Sequence, residues 1–237
     1  MTSHPPAVPR IDVATGEGPA QVRAHVPDPT VGRSGTLLLG HGAGGQRDAA
    51  DVLALTDVGD LGWTVVLVDQ PWRVAGRNVA TRPASLDRAW TDVLTTLASP
   101  DWQDAHGLPL PGPWVVGGRS AGARVACRTS VVDGHPRSGV GGVLCLAFPL
   151  HPPGRPDRSR ADELALPVGA GLPTLVVQGS TDPFGSPDEV SAAVRGDLLT
   201  LCAVPAAHSP SRDLRAVRAH VTEFLATLAP AVREDHP

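Results

Sequence analysis

Six short, almost wholly apolar runs recur along the chain: "TLLLG" (36–40), "WTVVLVDQP" (63–71), "PWVVGG" (113–118), "VGGVLCLAFP" (140–149), "PTLVVQG" (173–179) and "LLTLCAV" (198–204). A strand that is apolar on both faces must be covered on both faces. The segments between these runs have helical periodicity. From about Ala84 to Leu97, the apolar residues Leu86, Ala89, Trp90, Val93, Leu94 and Leu97 repeat at i, i+3, i+4, i+7, i+8 and i+11, one face of a helix. From about Ser211, Leu214, Val217, Val221, Phe224, Leu225 and Leu228 form a second stripe. Further helices are expected after the glycines at 40–45, over 120–132 and near 187–195. Buried strands alternating with amphipathic helices specify an α/β fold, a mostly parallel sheet with helices on both faces. "AQVRAHVP" (20–27) alternates and reads as an edge strand. Residues 1–18 read as a flexible lead-in, 19–230 as one domain and 231–237 as a frayed tail.

In such sheets, ligands collect at the carboxyl ends of the strands, so those positions matter most. After 113–118 comes Gly118-Arg119-Ser120-Ala121-Gly122, a G-x-S-x-G between a strand and a helix. A serine in so sharp a turn needs flanks without a Cβ, hence Gly118 and Gly122. The turn lifts the serine Oγ clear of the sheet and sets the following N–H groups at a helix N-terminus. The letters alone do not suffice, since "GRSG" at 32–35 has the same look without the context. After 173–179 comes "STDPFG", with Asp182. After 198–204 comes "PAAHSPSRD", with His208. The order Ser120, Asp182, His208 is that of a nucleophile, acid and base in a hydrolase of this architecture. In that reading His208 takes the Ser120 proton during attack on a carbonyl and gives it to the leaving group, while Asp182 fixes the imidazole tautomer. His220 lies inside a helix, His4 and His236 in the tails, and His25, His106 and His135 follow no strand end in the right order. The strand at 140–149 is followed by "FPLHPPG", which offers no rival acid.

A second reading competes at 40–45. "GHGAGG" fits G-x-G-x-x-G after a buried strand, and Asp69 ends the next strand, as in a dinucleotide-binding unit. That reading makes the chain a dinucleotide-dependent oxidoreductase and leaves Ser120, Asp182 and His208 as coincidences. The hydrolase reading uses the same glycines for an oxyanion hole. Ala121 N–H is the first donor, and Ala43 N–H, or Gly42 N–H, the second. A third reading keeps the hydrolase fold without catalysis, as a binding or scaffold protein.

Composition removes other chemistry. The chain has no Lys and no Tyr, so a Schiff base, a Ser–Lys dyad, a Walker lysine and a Tyr acid are all excluded. The net charge of −4 shows no basic stripe for nucleic acid. No HExxH or Cys/His cluster suggests a metal, and the hydrolase reading needs no cofactor. Cys127, Cys145 and Cys202 form no CxxC pair and sit in apolar runs, which suits free thiols in a reducing, cytoplasmic setting. No signal pattern and no membrane-length apolar run are present. The expected partner is a small acyl substrate, with neither nucleic acid nor membrane involved.

The segments "LLLGHGAGG", "VDQPWRVAGR", "GGRSAGARVA", "FPLHPPGRP", "QGSTDPFG" and "AAHS" resemble the small, lid-less α/β hydrolases of the dienelactone-hydrolase-like kind. They are most similar to the branch related to a subunit of the NSL histone acetyltransferase complex. The resemblance covers about residues 36–210. It implies the α/β-hydrolase fold with no large lid domain and Ser120, Asp182 and His208 as the triad. Ala121 and Ala123 stand where such relatives usually carry Met and Gly, and "PAAHS" lacks the acidic residue or glycine often found before the histidine. His41, His151 and Arg119 are candidates to line the substrate site. For His151 the alternative is a rigid proline turn. For Arg119 and Arg124 it is a structural ion pair rather than an anion site.

Overall fold

The computed structural model describes residues 8–44 and 49–229. Gly45, the start of the helix expected after it and the 231–237 tail lie outside the described residues. In chain order, the described part runs β1 (Ile11–Val13), β2 (Ala20–His25), β3 (Gly35–Gly40), α1 (Ala50–Leu53), β4 (Trp63–Asp69), α2 (Pro71–Val74), α3 (Pro83–Leu97), α4 (Pro100–His106), β5 (Trp114–Arg119) and α5 (Ala121–Thr129). It continues through β6 (Val131–Val132), β7 (His135–Pro136), β8 (Val140–Leu146), α6 (Ala161–Gly169), β9 (Thr174–Gly179), α7 (Pro187–Ala193), β10 (Leu199–Val204) and α8 (Leu214–Leu228).

Eight strands form one sheet in the order β1-β2-β4-β3-β5-β8-β9-β10. β1 and β2 run antiparallel to their neighbours, and the strands from β4 to β10 are parallel. Alternate side chains feed two separate cores. Leu38, Val66, Val68, Val116, Val143 and Val176 point to one face, where α3, α5 and α6 pack through Trp90, Ala126 and Leu164. Leu37, Leu39, Val65, Val115, Leu144 and Val177 point to the other, where α1 and α8 contribute Val52, Val221 and Leu225. The strand period of two thus divides fully apolar runs between two helical layers.

Three expectations need correction. β1 lies within the supposed lead-in and pairs with β2, so the strand read at 20–27, which spans Ala20–His25, is the second of the sheet rather than its edge. The helix expected over 120–132 ends at Thr129, because Val131 and Val132 pair with His135 and Pro136 in a small hairpin. Two short helices not foreseen, α2 and α4, both open on proline at their first turn. Between β8 and β9 the chain holds α6 and no lid domain.

Candidate active site

β5 delivers Ser120 to the carboxyl edge of the sheet at φ 52°, ψ −107°, a conformation that costs a non-glycine residue energy. The turn is fixed on both sides. Ser120 N–H donates to Leu146 O at 2.9 Å, and Arg124 N–H donates to Ser120 O at 3.2 Å, the first turn of α5. The flanking glycines are required by packing against the end of β3. A Cβ on Gly122 would lie 2.6 Å from Gly40 O, and one on Gly118 would also overlap that oxygen. Gly40 and Gly122 therefore serve the close approach of β3 to the elbow. In the dinucleotide reading Gly40 would form the phosphate turn. The nearest helix described after Gly40, α1, starts only at Ala50.

His208 and Asp182 come from the ends of two other parallel strands. His208 Nε2 is 2.8 Å from Ser120 Oγ, and His208 Nδ1 is 2.9 and 3.1 Å from the two Asp182 oxygens. The residues expected to act together are thus in one hydrogen-bonded line. Asp182 is 4 % exposed. Its oxygens also accept from Phe184 N–H at 2.9 Å and Gln178 Nε2 at 2.9 Å. Gln178 Nε2 faces two further acceptors, the carbonyls of Phe148 at 3.1 Å and Gly185 at 2.8 Å, so its orientation is determined. The Phe184 ring lies against the His208 imidazole, with centroids 4.1 Å apart and planes tilted by 32°.

The sequence reading missed Gln178, Phe184 and Asp51. Gln178 left a signal, the one amide in the apolar run "TLVVQG". Asp51 lies on α1, outside the motifs, and its carboxylate is 3.1 Å from Arg119 Nε. Burial, the largest influence, raises the Asp51 pKa, and the Arg119 charge opposes it. Arg119 Nη2 also donates to His208 O at 3.3 Å. Arg119 thereby ties α1, the elbow and the histidine loop together. Arg124 pairs with Glu163 on α6 through two short contacts of 2.6 and 2.8 Å, the structural ion pair weighed as its alternative.

His41 is buried at 6 % exposure. Its Nε2 accepts from Gln70 N–H at 3.1 Å, which places the proton on Nδ1, 3.0 Å from Gly42 O. His151 Nδ1 is 3.0 Å from Pro152 O and Nε2 is 3.3 Å from Glu189 Oε1, while its backbone N–H donates to Phe184 O at 3.0 Å. The proline turn therefore braces the loop that carries Asp182. Among the described residues, no group of three or more His, Cys, Asp or Glu could hold a metal. No described helix is long and apolar enough to cross a membrane.

The sequence profile of a family described as an alpha/beta hydrolase domain matches residues 33–232. No curated protein matches the chain. Solved structures do. A lid-less α/β serine hydrolase from Xanthomonas campestris superposes with a TM-score of 0.71 at 20 % identity, covering 97 % of this chain and 98 % of the other. A dienelactone hydrolase from Anabaena variabilis gives 0.69 at 20 % identity, with 96 % and 100 % covered. An α/β serine hydrolase homologue from Coxiella burnetii gives 0.68 at 17 %, again with 96 % and 100 % covered. At these identities the likeness is one of fold.

Proposed function

The chain belongs to the alpha/beta hydrolase domain family, and on that premise we propose that it is a serine hydrolase of carboxylic esters or related acyl compounds. The observation that carries this reading is the unbroken line Asp182–His208–Ser120, built from three strand ends and centred on a strained elbow. Ser120 Oγ bonds to the acyl carbon while its proton passes to His208 Nε2 and on to the departing alkoxide. Water, deprotonated by the same nitrogen, then releases the acid from the acyl-enzyme and restores Ser120. Asp182 holds the Nδ1–H tautomer that leaves Nε2 basic.

For the oxyanion we assign the N–H groups of Ala121 and Ala43. His41 Nδ1–H holds the Gly42 carbonyl. In a trans peptide the next N–H points the opposite way, so Ala43 N–H is turned away from the His41 ring. Gly42 supports this arrangement: a Cβ there would lie 3.2 Å from Arg119 Nη1 and 3.6 Å from Ser120 Cβ. The absence of a CxxC pair and the apolar runs around Cys127, Cys145 and Cys202 support a cytoplasmic setting. "VDQPWRVAGR" and "FPLHPPGRP" support placement in the branch related to the NSL-complex subunit.

A fluorophosphonate probe tests the reading. It labels wild type and leaves Ser120→Ala unlabelled, and a panel of short aryl esters, thioesters and lactones then ranks the acyl compounds. A folded wild-type protein that takes up no probe and turns over none of the panel would show the catalytically silent binding protein instead.

A further inference from the structure

β9 carries a buried amide in an otherwise apolar stretch. Its side chains alternate between the two cores: Leu175 and Val177 enter one, Val176 the other. Gln178 shares the face of Val176, is 0 % exposed and stands four residues before Asp182. The two ends of its amide are used differently. Nε2 lies 2.9 Å from Asp182 Oδ2, 2.8 Å from Gly185 O and 3.1 Å from Phe148 O, so two N–H groups are shared among three acceptors. Oε1 is buried and has no hydrogen-bond partner among the described residues. A buried polar atom without a partner is a cost that a leucine in this place would not carry. The donor end is therefore what the position requires.

The three acceptors are the acid itself, the end of its turn and the segment on which that turn rests. A Cβ on Gly185 would lie 2.7 Å from Leu150 Cβ, so the turn packs directly on that segment. Asp182 Oδ2 is also the oxygen 2.9 Å from His208 Nδ1, so Gln178 and His208 meet on one atom. The other oxygen, Oδ1, accepts from Phe184 N–H at 2.9 Å. With both oxygens held, the plane of the carboxylate is fixed.

We propose that Gln178 is a positioning residue for the acid–base pair, acting on His208 through the Asp182 carboxylate. The proposal rests on the serine-hydrolase reading of Ser120. The three acceptors of Gln178 include neither Ser120 nor His208, so its influence reaches the reaction through Asp182. When His208 takes the Ser120 proton, the imidazolium needs an ionised carboxylate that is already oriented. A neutral donor orients Asp182 and leaves its charge facing His208. A cationic side chain in the same place would pair with that charge and weaken its hold on the imidazolium.

The test follows fluorophosphonate labelling and hydrolysis of p-nitrophenyl acetate between about pH 6 and 9 in wild type, Gln178→Leu and Gln178→Glu, with circular dichroism at each pH. Gln178→Leu removes the donors at every pH. Its kcat should fall by about 10–100-fold with KM within about threefold of wild type. Gln178→Glu keeps the shape but sets a carboxyl against three oxygens. Protonated, that carboxyl donates to Asp182; ionised, it repels it. The labelling rate of this variant should therefore fall as pH rises, while that of wild type climbs to a plateau as the imidazole becomes neutral. Gln178→Leu with kcat within about threefold of wild type overturns the proposal. So does a Gln178→Glu profile parallel to that of wild type. An alkaline loss that coincides with unfolding in the dichroism gives Gln178 a structural role only and overturns it as well. If Gln178→Leu does not fold, the Gln178→Glu profile decides alone. Should wild type neither take up fluorophosphonate nor cleave any ester, the serine-hydrolase reading itself has failed and the positioning role falls with it. An active wild type with indifferent variants refutes the positioning role alone.

Discussion

Ser120 keeps its strained backbone because its neighbours leave no alternative. β3 passes so close to the elbow that position 122 has no room for a methyl group. In Gly122→Ala the added Cβ meets backbone at 2.6 Å, which cannot swing aside as a flexible side chain would. We expect a loss of about 1–3 kcal/mol, read by denaturant unfolding, together with slower fluorophosphonate labelling as the turn shifts. Asp182 acts on chemistry instead. In Asp182→Asn the amide can donate to His208 Nδ1, which moves the ring proton to Nε2 and leaves Ser120 without an acceptor. The fold should persist while kcat falls by about 10⁴; a kcat within tenfold of wild type would show that His208 does not depend on that contact. At this scale the reactive residues were legible, because each stands in a turn at a strand end with glycine, proline or serine around it. Their supports were less so. The Arg119–His208 contact joins residues 89 positions apart, and nothing local in the sequence marks the two as partners.

The elements were most legible where burial follows one clear period. The six apolar residues of α3 read from spacing are the six that are buried in it. Helix ends were harder to place, since they depend on local competition. α8 begins at Leu214 rather than at Ser211 because Asp213 caps it, accepting from Ala216 N–H at 2.9 Å, while Pro210–Arg212 forms a separate tight turn. Between elements, charge adds what spacing could not show. Glu163 of α6 receives both Arg124 and Arg128 of α5, and Arg128 also reaches Asp87 of α3 at 2.6 Å. Burial, the largest influence on Glu163, pushes its carboxyl pKa up, but the two guanidinium groups outweigh it and the net shift is downward. A carboxylate held below its unfolded value stabilises the fold above that value, and the contribution is lost as pH falls through the folded value. Wild type should therefore lose stability faster than Glu163→Gln as pH drops below about 4. At pH 7 the variant should be less stable by on the order of 1–2 kcal/mol, since two part-buried arginines lose their shared partner. Thermal unfolding from pH 7 to 3 checks both statements, and parallel acid limbs would refute the stabilising ionised pairing of Glu163 with Arg124 and Arg128.

At the scale of the whole molecule, the parallel strands set the chemistry at one edge and the antiparallel strands close the sheet at one end. That closure depends on a segment whose composition suggested a loose lead-in. Residues 11–13 carry only one fully buried apolar side chain, Val13, too little periodicity to register as a strand. The pairing becomes visible only once β2 is in place, with Val13 opposite Ala20 and Ile11 opposite Val22. Glu17 and Gly16 then clamp the segment onto α3 through Arg88 at 2.6 Å and Asp92 at 2.8 Å. Removing residues 1–18 would bare the edge of β2 and uncover Ala20 and Val22. The lost Val13 burial alone is worth about 1.5–3 kcal/mol, or roughly 5–10 °C in a chain of this size. An uncovered strand edge also invites pairing with another copy. The shortened chain should therefore melt earlier and elute as dimers or larger species in size-exclusion chromatography with light scattering. Because β1 and β2 lie at the far end of the sheet from β9 and β10, the fraction that stays monomeric should keep its fluorophosphonate labelling rate at Ser120. A monomeric truncated protein with an unchanged melting temperature would return residues 11–18 to the role of a loose lead-in.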